Sequence, residues 1–282
     1  MGSYETVRKE AYKAALKEKW NEMIGAYHGE KVIYMMSPIT ASEDTPFHLA
    51  VYSRSVQPLR RLLDIVNNNK MLGNPLTKTN AYGNTVLLEA VVAGNMEAVE
   101  ALLQFVPKHA AGKYDPSEQL QTENVLGETP FYRAASSGKT EIVKHLADQF
   151  GGQIFDQGKK LIEKHRKRKD LKPILHAAIQ GQHFETALKL LELDKSLHEM
   201  KDEQGMTCLH LLADMPSAFK SGYIQQAFFF EKWLYCCLPA AGGDRDQRRC
   251  KIGTEIETIL ASIKYFHSYI DNIALTDAPW VL

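Results

Sequence analysis

Three histidines, His48, His176 and His210, invite a chemical reading. Imidazole titrates near neutral pH and is a common metal ligand. A metal, however, needs several donors converging to about 2 Å from one ion, and these rings recur one per segment, spread along the chain. The reading that fits is structural: a ring that bonds a threonine at a helix start and the neighbouring turn. Cys208, Cys236, Cys237 and Cys250 show no C-x-x-C spacing, which predicts reduced thiols in a cytosolic protein. The adjacent pair Cys236 and Cys237 lies in an apolar stretch, where core packing accounts for it. The sequence carries no G-x-S-x-G elbow, no G-x-x-x-x-G-K-[ST] phosphate loop, no H-E-x-x-H and no G-x-G-x-x-G. An enzyme would need a polar pocket of convergent titratable groups, and without such motifs the chain reads as non-enzymatic, with no cofactor and no metal.

Two charged or modifiable features remain. Lys159, Lys160, Lys164, Arg166, Lys167, Arg168 and Lys169 form a basic run interrupted by Glu163 and His165. It has the composition of a nuclear-import signal, an anionic-lipid patch or a nucleic-acid contact. No aromatic residue alternates with the charges to stack bases, so no nucleic acid is expected, and the plain reading is a solvated loop. The opening Met1-Gly2-Ser3-Tyr4-Glu5-Thr6 fits the loose myristoylation pattern. One acyl chain holds a membrane only marginally, so the alternative of a peripheral adaptor at the inner face of the plasma membrane requires both Gly2 and the basic run.

Composition sets the frame around these residues. The chain has 282 residues, 44% of them hydrophobic and 24% charged, enough apolar material for a core. Lys+Arg and Asp+Glu stand at 34 each, so no net field draws the molecule to nucleic acid or membrane. No apolar leader opens the chain, and no window approaches the roughly 18 apolar residues of a membrane span. The expectation is a chain neither secreted nor membrane-spanning.

The elements that position the histidines are repeats. Asp44-Thr45-Pro46-Phe47-His48-Leu49-Ala50 returns as Asn84-Thr85-Val86-Leu87-Leu88-Glu89-Ala90, Glu128-Thr129-Pro130-Phe131-Tyr132-Arg133-Ala134, Lys172-Pro173-Ile174-Leu175-His176-Ala177-Ala178 and Met206-Thr207-Cys208-Leu209-His210-Leu211-Leu212. With a degenerate copy at Tyr12-Lys13-Ala14-Ala15, the histidine column runs through positions 13, 48, 88, 132, 176 and 210. Thr45, Thr129 and Thr207 are candidate N-caps, because a hydroxyl can accept from a first-turn amide, and a following Pro gives up no needed donor. Ahead of the caps, Asn80 to Gly83, Asn124 to Gly127 and Asp202 to Gly205 have turn chemistry. Each second helix then carries an i, i+3, i+4, i+7 stripe: Leu59, Leu62, Leu63 and Val66; Val99, Leu102, Leu103 and Val106; Val143, Leu146, Ala147 and Phe150. In the next unit Gly181 comes one residue early, and the stripe is read with a slipped register as Phe184, Ala187, Leu188 and Leu191.

These T-P-L-H-x-A-like motifs, the turn glycines Gly83, Gly127 and Gly205 and the inter-helix glycines Gly94, Gly138 and Gly181 resemble ankyrin repeats over about residues 8 to 213. The wording of Tyr12 to Leu16 before Trp20, of Gly181-Gln182-His183-Phe184, and of His210-Leu211-Leu212-Ala213 running into Pro216 to Gly222 is similar to the plant ankyrin proteins of stress and immune signalling. That group typically continues into a C-terminal membrane domain, and the resemblance here is to a member without it.

The expected fold is therefore an all-α ankyrin-repeat solenoid of five to six repeats, residues 8–222, with non-repeat capping helices in 223–282. Connections 67–79, 107–123 and 151–171 are read as enlarged loops, tolerated because closure entropy grows only logarithmically with length. Beyond Gly222, residues 223–238 read as an apolar helix. A second helix at about 254–273 places Ile256, Ile259, Ile263, Phe266, Ile270 and Ile273 on an a/d seam. The expected function is protein binding, at the positions the motif leaves free. At the turn fingers these are Tyr82, Asn84, Leu126, Glu128, Gln204 and Met206; on the first helices they are Tyr52, Ser53, Glu89, Arg133, Ser136 and Ser137.

Overall fold

A computed structural model describes residues 2–108, 115–157 and 159–215. They fall into two units, one ending at Asp170 and one beginning at Leu171. The helices expected beyond residue 222, Cys236, Cys237 and Cys250 lie outside the described residues, as does the expected domain boundary.

In the first unit the chain alternates first helices with second helices: α1 (Gly2–Leu16) and α2 (Trp20–Gly25), α3 (Pro46–Ala50) and α4 (Gln57–Asn67), α5 (Val86–Ala93) and α6 (Met96–Gln104), α7 (Pro130–Ser136) and α8 (Thr140–Gln149). α9 (Gly151–Ile154) and α10 (Glu163–Arg166) follow. Each first helix packs on its own second helix and on the first helix of the next pair, so that α1, α3, α5 and α7 form a row. In the second unit α11 (Ile174–Gln180) packs on α12 (Phe184–Leu193) and on α13 (Cys208–Ala213). The described residues contain no strand, only isolated bridges such as Thr79 to Thr85 and Lys201 to Thr207.

The caps are where the motif puts them. Thr45, Thr85, Thr129 and Thr207 precede α3, α5, α7 and α13 in extended backbone. The Thr85 hydroxyl accepts from Leu88 N–H at 3.3 Å and that of Thr129 from Tyr132 N–H at 3.2 Å. The second-helix stripes form the core: Leu59, Leu62, Val99, Leu102, Val143 and Leu146 are at most 1% exposed. Helix α6 stops at Gln104, which turns Phe105 inward and leaves Val106 exposed, against the expected stripe.

Two further expectations are corrected. The register does not slip in the repeat of α11 and α12. The left-handed residue between the helices stays six positions after the histidine column, where Gly94 and Gly138 stand, and is there Gln182 (φ 58°). Gly181 is ordinary αR backbone. The buried stripe of α12 is accordingly Phe184, Ala187, Leu190 and Leu191, in step with α6 and α8, while Leu188 is only half-buried.

The long connections are also more than loops. Leu72 and Leu76, Leu120, and Ile154 with Leu161 are buried; the 3₁₀ turn Pro75–Thr77 carries Leu76, the 3₁₀ turn Pro116–Gln121 carries Leu120 and helix α9 carries Ile154, while Leu161 pairs with Phe155 in an isolated bridge. Folding the inserts onto the repeats takes these apolar side chains out of water.

Candidate partner-binding surface

Three of the fingers are turns built by one side chain. Asn80 Oδ1 accepts the backbone N–H groups of Tyr82 (3.0 Å) and Asn84 (3.1 Å). Asn124 Oδ1 does the same for Leu126 (3.0 Å) and Glu128 (2.9 Å), and in the second unit Asp202 does so for Gln204 (3.0 Å) and Met206 (2.9 Å). The residue closing each turn is left-handed: Gly83 (φ 73°), Gly127 (φ 78°) and Gly205 (φ 77°), but also Glu43 (φ 63°) and Leu171 (φ 58°). In the first unit neighbouring fingers are tied by Ala81 N–H to Ser42 O (2.9 Å), Val125 N–H to Tyr82 O (3.1 Å) and Lys169 N–H to Leu126 O (3.2 Å). They approach so closely that a Cβ on Gly127 would meet Lys169 N at 2.9 Å.

With its amides turned inward, a finger sends its two tip side chains outward. Tyr82 is 63%, Val125 62% and Leu126 51% exposed, an apolar cluster on two adjacent fingers. Tyr52 is 50% exposed, the Arg133 side chain is 33% exposed, and Ser136 and Ser137 are half-buried. In the second unit Gln204 is exposed and Met206 half-buried. Val125 was not singled out in the sequence, although it shares the tip with Leu126.

Asn84, Glu89 and Glu128 are buried, contrary to the expectation that they lie open to a partner, and so is Ser53. The finger bases converge on one hydrogen-bonded network that absorbs the first three. Thr40 Oγ1 donates to Asp44 at 2.8 Å, and Asn80 Nδ2 donates to Asp44 and to Glu89, both at 2.9 Å. Asn84 Nδ2 donates to Glu89 at 2.7 Å, and the Tyr52 hydroxyl does so at 2.5 Å. Asn124 Nδ2 then bridges Asn84 Oδ1 (3.0 Å) and Glu128 (2.9 Å), and Arg133 and Arg168 bracket Glu128 at 3.2 and 3.3 Å. A polar group buried without partners is costly, and here each supplies another's bond.

The histidines are part of the same machinery. The Thr45 N–H donates to His48 Nδ1 at 3.2 Å, which leaves the proton on Nε2 to bond Asn84 O in the next finger at 3.0 Å. His210 forms the same capping box with Thr207, and His176 Nε2 bonds Met206 O at 2.9 Å. The α7 repeat has Tyr132 in this column and takes its imidazole from the insert. His165 Nδ1 meets Thr129 Oγ1 at 2.8 Å, and its Nε2 meets Gln153 O at 2.9 Å. Sequence reading missed His165; the one signal was a threonine cap without a histidine three residues on. Burial holds the pKa of His48, His165 and His176 below the ordinary value. Burial pushes the Cys208 thiol up to about 11, the behaviour of a core thiol.

The basic run divides. Lys159, Lys160 and Lys164 are exposed, whereas Lys167 pairs with Glu163 at 2.8 Å and Arg168 is held by Asp170 and Glu128. Lys169 Nζ donates to Val125 O at 3.3 Å. Among the described residues, no three or more His, Cys, Asp or Glu are placed to hold a metal, and no helix is long and apolar enough to cross a membrane.

No curated protein matches the chain. Residues 71–158, which contain the two apolar fingers and helices α5 to α9, match the family model for ankyrin repeats in three copies, a protein-interaction module.

Proposed function

We propose that the chain is a non-enzymatic cytoplasmic adaptor of plant stress or immune signalling. Its repeat domain, residues 8–222, binds a protein partner, and 223–282 is a C-terminal extension. The setting is supported by the resemblance of His210-Leu211-Leu212-Ala213 and its surroundings to that plant group. The mode is supported by one observation: large apolar side chains, Tyr82, Val125 and Leu126, stand exposed on two fingers whose bases are bonded internally. Side chains on a preorganised base lose little entropy on association, and exposed Tyr and Arg side chains make good hot spots. Tyr52 and Arg133 extend the surface along the first helices, and Gln204 and Met206 occupy the corresponding finger of the second unit. Asn84, Glu89 and Glu128 contribute by holding the fingers and do not touch the partner.

The test is affinity capture from plant tissue, comparing the intact chain with a Tyr82→Ala, Leu126→Asp double variant of unchanged circular dichroism. Capture is expected to fall roughly tenfold or more, the scale of a lost hot spot. Equal capture by the two proteins would remove the fingertips from the interface.

A further inference from the structure

Asp44 and Glu89 are carboxylates held entirely by neutral donors. Asp44 accepts from Thr40 and Asn80, and Glu89 accepts from Asn80, Asn84 and Tyr52. Among the described residues, no Lys, Arg or His lies within ion-pairing distance of either. Glu128, in the same motif column as Asp44, is bracketed by two guanidinium groups. Hydrogen bonds from amides and hydroxyls spread a negative charge without cancelling it, so the corner at Asp44 and Glu89 keeps charge that the Glu128 corner has neutralised. Arg133 is felt at Tyr52, but its Nη1 is committed to Glu128.

Tyr52 covers this corner. Its hydroxyl is fixed on Glu89 at 2.5 Å while the residue is 50% exposed. A phenol ring locked in place, with two unneutralised carboxylates beside it, attracts a cation through both its quadrupole and their field. We infer that the partner segment places a Lys or Arg side chain over Tyr52, beside apolar side chains that meet Tyr82, Val125 and Leu126. The inference rests on the reading of this surface as partner-binding, and it gives that surface a polarity: a cation at the Tyr52 end, apolar contact at the fingertips.

A random-peptide phage library panned on the purified full chain supplies the probe. The consensus peptide is synthesised with its basic residue and with norleucine in its place, which leaves the protein untouched. The consensus is expected to carry Lys or Arg, and norleucine is expected to weaken binding about tenfold, as is Tyr52→Leu. The two changes together should cost little more than either alone, because they remove one interaction. If the norleucine peptide binds equally well, the cation inference fails, while loss of binding in Leu126→Asp keeps the surface reading. A library without binders, or binders indifferent to Leu126→Asp, would overturn the surface reading and the inference with it.

Discussion

Pro173 stands at the start of α11 where threonine stands at the starts of α3, α5, α7 and α13. Proline has neither an N–H nor a hydroxyl, so His176 Nδ1, fully buried, is left without a hydrogen-bond partner, although its Nε2 bonds Met206 O. The backbone at Pro173 (φ −67°, ψ 149°) is one a threonine adopts, close to that of Thr85 (φ −75°, ψ 166°). Pro173→Thr should therefore stabilise the protein. A cap and a satisfied buried acceptor contribute about 1 to 2 kcal/mol, less the roughly 0.5 kcal/mol by which proline restricts the unfolded chain. Urea denaturation measures it, and a variant no more stable than the parent would mean that His176 is already satisfied. The same scale explains what was legible. Gly83, Gly127 and Gly205 marked left-handed turns because glycine does so without strain. Glu43 and Leu171 take the same conformation at a cost of about 1 to 2 kcal/mol each, imposed by the repeat around them, and nothing in their side chains announces it.

Among the elements, the insert between α8 and α11 departs furthest from its reading as a basic loop. Its charges are conspicuous in sequence, whereas its three attachments are not: Ile154, Leu161 and His165, all buried. His165 supplies the imidazole that the column lacks at Tyr132, bonds Thr129, and lies edge-on to Phe131 with ring centroids 5.9 Å apart. A reading by column cannot find a residue supplied from 33 positions downstream of that column, because the contact is tertiary. His165→Ala removes two hydrogen bonds and leaves a cavity against α7, a loss of about 2 to 4 kcal/mol. It should also speed protease cleavage of the insert between Asp156 and Lys169 relative to the parent. Unchanged denaturation and cleavage would show that Ile154 and Leu161 hold the insert without it. The helices themselves were legible, since three-and-four spacing and threonine caps are local signals. The pairing of fingers through Asn80, Asn84 and Asn124 was legible only as turn chemistry.

Across the whole molecule the buried imidazoles make folding sensitive to acid. His48 and His165 in the first unit and His176 in the second all have pKa values lowered from the ordinary 6.5, chiefly by burial. His48 adds a geometric reason: its Nδ1 accepts an N–H, so a second ring proton would face a donor. The unfolded chain binds protons at about pH 6.5, the folded chain only at lower pH. The stabilisation is thus complete above 6.5 and is lost as pH falls from there through the folded-state values, by up to about 1.4 kcal/mol per pH unit for each histidine whose unit unfolds. The denaturation midpoint should be level between pH 7 and 8 and decline below 6.5, and calorimetry in buffers of different ionisation enthalpy should register proton uptake on unfolding at pH 6. A midpoint that stays level to pH 5.5, with no uptake, would place these rings in contact with water. Because each ring ties a helix start to a finger or an insert, acid should loosen the fingertips before the second-helix core. The exposed Tyr82 and Leu126 cluster would then lose its fixed base, and affinity for a fingertip partner should decline in the same pH window.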